Sequence, residues 1–115
     1  MDLDAKLQLK PGQTLAVVND QPGVLDAVDR PRSGPDDAEA VLVFVRSRAE
    51  LDAAEPAVRA ASRDVLAWVA YPKAGRLGTD LNRDILAAAL TARGLQPVRQ
   101  VALDDVWSAL RFRPA

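Results

Sequence analysis

A chain of 115 residues with 49% hydrophobic and 27% charged side chains suits one domain with a genuine core and excludes extended disorder. Its net charge of −1 speaks against a dedicated nucleic-acid or acidic-membrane binder, although residues 1–57 carry 6 basic and 11 acidic side chains and residues 58–115 carry 9 and 5. With no Cys and no His, disulfides, thiolate nucleophiles, Cys or His metal sites and the commonest general base are all excluded.

The opening residues MDLDAKLQLKPG lack the apolar core of a signal peptide, and the runs VLVFV and VLAWVAY are too short to span a bilayer, so a cytoplasmic location with no membrane partner is expected. KPGQ (10–13) is a turn, and TLAVVN (14–19) is a β-branched run that predicts a buried strand ending at Asn19. PGVLDAVDR follows with Val24, Leu25 and Val28 at helical spacing; a short helix is expected, starting at Asp20 or Gln21 with Pro22 near its first position. RPRSGPDDAEA (30–40) holds Pro and Gly with few apolar side chains and reads as a flexible loop.

VLVFVRS (41–47) predicts the next strand, and Ser47 with Glu50 has capping-box spacing before a helix carrying Leu51, Ala54, Val58 and Ala61 on one stripe. Pro56 should kink that helix or start a second segment near Glu55. VLAWVAY (65–71) is apolar on both faces, as a central parallel strand requires. LNRDILAAALTARG (81–94) reads as a helix stopped by Gly94; PVRQVAL and WSALRFR read as an antiparallel hairpin joined by Asp104 and Asp105. Together these predict a three-layer, Rossmann-like α/β domain: one unit, with a mostly parallel sheet of about five strands and a C-terminal antiparallel hairpin.

In such a sheet ligands sit beyond the carboxyl ends of the strands. That edge gathers Asn19, Asp20, Gly23, Arg46, Tyr71, Lys73, Arg76, Thr79, Asp80 and Arg83 as candidate ligand-binding residues. The stretch YPKAGRLGTDLNRD (71–84) has two readings. In one, Thr79 or Asp80 caps the helix, whose first-turn N–H groups bind an anion together with Lys73 and Arg76. In the other, the same cap forms and the basic side chains are merely solvated. GxxxxGK[ST] and GxGxxG are absent, so neither a phosphate loop nor a dinucleotide fingerprint is present. A phosphate-receiving domain is disfavoured, because only Asp20 is acidic after the first strand and Arg46 stands where the acceptor aspartate belongs. Asp104 and Asp105 fit a turn better than a metal pair, and Trp68, Trp107 and Phe112 fit a core better than a stacking platform.

The segments LKPGQTLAVVNDQPG, VLVFVRSRAELDAAEPAVRAA, LAWVAYPKAGRLGTDLNRD and LDDVWSALRFRP together resemble a family of small bacterial proteins of unknown function, over nearly the whole chain. The element order is also similar to a shortened class I methyltransferase domain, which implies a last strand inserted antiparallel beside the third. Methyltransferases of that class carry a glycine-rich turn where this chain has NDQPG, and an acidic ribose ligand after a second strand that residues 30–40 do not supply. No cofactor is therefore expected, S-adenosylmethionine included. The functional expectation is a non-catalytic module for a protein partner or a small anionic ligand. The alternative is a minimal transferase using Tyr71, Lys73 and Asp80 in the same cleft.

Overall fold

The computed structural model describes residues 2–115, and its five strands form one mixed sheet. Strands β1 (Leu15–Val18), β2 (Ala40–Phe44) and β3 (Leu66–Pro72) form from the three apolar runs, and they are mutually parallel. β4 (Leu95–Ala102) and β5 (Trp107–Pro114) form the C-terminal hairpin. The spatial order is β1-β2-β3-β5-β4, so β5 lies antiparallel between β3 and β4. β2 is buried along its whole length, which is why its sequence shows no polar alternation.

Alternation in β3 sends Ala67, Val69 and Tyr71 to one face and Trp68 and Ala70 to the other, building two cores. The first core is closed by α2 (Glu55–Ser62) and α3 (Arg83–Thr91), through Ala57, Val58, Ala61, Leu86 and Leu90. The second core is closed differently. Leu7 and Leu9, following the short helix α1 (Leu3–Lys6), pack there with Leu25 and Val28 against Leu42, Phe44, Trp68 and Trp107. The Trp68 indole N–H donates to the Leu7 carbonyl at 3.0 Å, satisfying the one polar atom that this ring buries, and Phe44 meets Trp107 edge-on at 5.1 Å.

The helix expected after β1 does not form. Residues 22–27 are a succession of turns, closed by Val24 N–H to Gln21 and Val28 N–H to Leu25 bonds, and Gly23 sits at φ +85°. The i, i+3 spacing of Leu25 and Val28 marked their burial correctly, but a left-handed glycine directly after Pro22 interrupts the helical backbone. A covering layer of turns thus replaces a covering helix on this face. Residues 30–39 form a loop that pairs with the sheet at one isolated parallel bridge, Leu15 to Arg32, and packs Ala38 into the first core.

At the start of that loop, Arg30 has a side chain only 9% exposed. Its Nε and Nη2 donate to Asp4 Oδ2 at 3.2 and 2.6 Å, and its Nη1 donates to the Lys10 and Gln13 carbonyls at 3.0 and 2.8 Å. One guanidinium therefore holds α1, the turn over residues 10–13 and the start of the loop together.

Pro56 acts as expected: a 3₁₀ segment over Arg48–Ala54 gives way to α2, with the proline in its first turn. Half of the expected capping box appears, displaced by one residue. Glu50 Oε1 accepts from the Arg46 N–H at 3.0 Å, while the Ser47 side chain makes no capping bond. α3 starts two residues later than expected, and its cap is neither Thr79 nor Asp80. Asn82 holds the extended cap conformation, and its Oδ1 accepts from the Ile85 N–H at 2.8 Å. Asn82→Ala is expected to lower stability by about 1 kcal/mol, read from urea unfolding, and Asn82→Asp to restore it.

Candidate functional site

The YPKAGRLGTDLNRD crossover leaves β3 through Tyr71 and Pro72, turns through a short 3₁₀ segment at Arg76–Gly78, and enters α3. Gly75 and Gly78 lie at φ +79° and +66°, and the exposed Leu77 between them is held at φ +53°, an uncommon conformation for a branched side chain. Thr79 and Asp80, freed from capping, stitch this crossover to the segment leaving β2. The Thr79 hydroxyl donates to the Arg46 carbonyl at 2.7 Å and accepts from the Leu81 N–H at 3.0 Å; Asp80 Oδ1 accepts from the Arg48 N–H at 2.8 Å.

The expected residues divide into groups. Tyr71, Lys73 and Arg83 line a cavity of about 400 Å³, together with Ala74, Asn82, Asp84, Gln100 and Ser108. Asp20 and Gly23 line a different depression of about 300 Å³, which also includes Asp26 and Arg32 and shares no residue with the first. Asn19 turns at φ +57° and its amide donates to the Phe44 carbonyl at 3.3 Å. Arg46, Thr79 and Asp80 are the stitch described above, and Arg76 stands exposed on the 3₁₀ turn.

The larger cavity is assembled by the sheet register. Tyr71 pairs with Ser108 across β3 and β5, and Gln100 pairs with Leu110 across β4 and β5, so all three polar side chains share the helical face. The N-terminal turn of α3 closes it. Asn82 Oδ1 takes the Ile85 N–H, while the N–H groups of Arg83 and Asp84 find no acceptor among the described residues and carry the positive end of the helix dipole. Lys73 is half-buried and makes no ion pair among the described residues; Arg83 reaches Asp84 at 3.2 Å in an exposed pair.

Tyr71 is the unusual group. It is 2% exposed, yet its hydroxyl has no hydrogen-bond partner among the described residues. Burial pushes its pKa up; Arg83 and then a weak hydrogen-bonding pull from the facing Ser108 side chain, short of full hydrogen-bond geometry, act the other way, and Asp84 adds to the rise. The phenol is therefore held neutral, on a side chain that lines the cavity and whose hydroxyl is itself buried. A buried hydroxyl left unpaired costs about 1–3 kcal/mol, so its position here calls for an acceptor.

Asn82, Asp84, Gln100 and Ser108 were not among the residues expected from sequence. Ser108 had a signal: strand alternation in WSALRFR places it on the inner face with Leu110 and Phe112, a hydroxyl where an apolar side chain is expected. Gln100 had none, because its place depends on the pairing of β4 with β5. No group of three or more Asp and Glu side chains is arranged to hold a metal ion among the described residues, and no helix there is long and apolar enough to cross a membrane. No family model matches the chain, and no curated protein sequence matches it.

Proposed function

We propose that this protein is a binding module for a small organic anion, a carboxylate or a phosphate ester, seated in the cavity between β3, β5 and the start of α3. The observation that carries the reading is the Tyr71 hydroxyl, buried without a partner in a cavity that also presents Lys73, Arg83 and a helix N-terminus. The neutral phenol and Ser108 supply donors, the first-turn N–H groups of α3 add two more, and Lys73 supplies charge. Asp84 opposes an anion, and its pairing with Arg83 limits that repulsion. A volume of about 400 Å³ suits a small metabolite better than an inorganic ion alone.

The insertion of β5 antiparallel between β3 and β4 supports reading the fold as similar to a shortened, Rossmann-like methyltransferase domain. The turn after β1 remains NDQPG, with one glycine, so that reading brings neither S-adenosylmethionine nor transfer chemistry with it.

Titration with inorganic phosphate and with succinate, followed by amide NMR, tests the site. Amides of residues 73 and 82–84 should shift at millimolar ligand, and Lys73→Ala should weaken binding about tenfold. Asn82→Asp keeps the cap but adds a negative charge at the cavity, and should weaken binding without lowering stability. Unmoved amides at those residues sink the proposal.

A further inference from the structure

A second charged surface lies on the opposite face of the sheet and takes no part in the cavity. Arg99 on β4 stands directly across from Arg111 on β5, so their side chains share one face; Arg113, two residues on, joins them by alternation. A register irregularity between Pro97 and Arg99 sets this alignment. Like charges directly opposite in a ladder repel, and the ion pairs of the described residues relieve little of it. Arg113 reaches Asp64 at 3.2 Å; Arg99 and Arg111 meet no carboxylate. Among the described residues Arg111 Nη1 is satisfied only by the neutral Gln8 Oε1 at 2.6 Å, and its Nε is buried with no acceptor. Burial and then Arg113 push the Arg111 pKa down, with Asp64 opposing and Arg99 adding a smaller push. Lys6, from α1, adds a further cation near the end of β4 by donating to the Ala102 carbonyl at 3.3 Å.

We infer that this arginine stripe, Arg99, Arg111 and Arg113, is a docking surface for an acidic segment of a partner protein. The stripe runs along an open β-ribbon, where a single small anion stays hydrated. A chain bearing several carboxylates engages successive guanidiniums at once. The net charge of −1 and a pI near 5.3 favour an acidic peptide over nucleic acid, whose binders are basic overall.

The test uses a fluorescent poly-glutamate peptide at low salt, with anisotropy for affinity and amide NMR for location. Amides of residues 99–101 and 109–113 should shift, and Arg99→Glu, which turns a repelling cross-strand pair into an opposite-charge one, should weaken binding about tenfold without lowering its melting temperature. Arg99→Gln serves if charge reversal disturbs the hairpin. Lys73→Ala should bind the peptide as wild type does, which separates this surface from the cavity. The inference is overturned by no binding, by wild-type affinity in both Arg99 variants, or by shifts confined to residues 73 and 82–84. It is equally overturned if a single-stranded DNA oligonucleotide binds more tightly than the peptide at the same ionic strength.

Discussion

Arg30→Ala is expected to cost about 3 kcal/mol of stability and to lower Tm by about 10 °C, read from urea and thermal unfolding. The truncation strands a carboxylate and two carbonyls at once. The Asp4 carboxylate, 30% exposed, loses its cation, and the Lys10 and Gln13 carbonyls lose a donor together. Asp4 retains some access to water, which places the cost at the lower end of the range for broken buried pairs. Arg30→Lys should recover only part of the loss, since an ammonium cannot span both the carboxylate and two carbonyls as a planar fork does. A loss below about 1 kcal/mol in the alanine variant would show that α1 and the turn at residues 10–13 are held by their apolar contacts alone.

Tyr71→Phe should have two effects of opposite sign. Removing an unpaired buried hydroxyl relieves a desolvation penalty, so the variant should gain about 1 kcal/mol of stability. The same change removes the donor assigned to the anion, and a hydrogen bond to a charged acceptor contributes about 1.5–3 kcal/mol, so binding should weaken about ten- to a hundredfold. Stability gained while affinity is lost is the signature of a group held for a ligand rather than for the fold. If the variant instead melts lower, the hydroxyl has a partner inside the folded chain and its binding role fails. The chain contains a single tyrosine, so its ionisation can be followed by absorbance without overlap from another phenol. Because burial raises the folded-state pKa, the unfolded chain ionises first. The stability tied to keeping this phenol neutral is whole below the ordinary value of 10.0 and disappears as pH climbs through the folded value. Tyr71→Phe should lack that alkaline loss, and bound anion should raise the Tyr71 pKa further.

Much of the architecture could be read from residue patterns. The runs TLAVVN, VLVFV and VLAWVAY announced three parallel strands, and Pro56 announced a second helical segment from Glu55, although the segment before it is 3₁₀ rather than the helix expected. Where the reading missed, local backbone chemistry outweighed side-chain spacing. Leu25 and Val28 kept their burial while Gly23 took the helix away, and Asn82 took the capping role from Thr79 and Asp80. Three of the eight residues lining the candidate cavity were foreseen, Tyr71, Lys73 and Arg83, because they lie at the end of one strand, in the crossover and at the start of one helix. Ser108 and Gln100 come from the hairpin, beyond α3, and join the cavity only through the order in which β4 and β5 enter the sheet. The separation of Asp20 and Gly23 from Tyr71 was not legible either. Topology names the edge to which loops belong, and gives no account of how the loops partition it.

The bonds from Thr79 to Arg46 and from Asp80 to Arg48 make two sequence-distant connections into one mechanical part. Neither can lift from the sheet without breaking acceptors or donors of the other, so they belong to a common unit of local opening. Whatever stiffens the start of α3 is then felt at the exit of β2, and the exposed strained turn at Leu77 becomes the compliant element between two anchored ends.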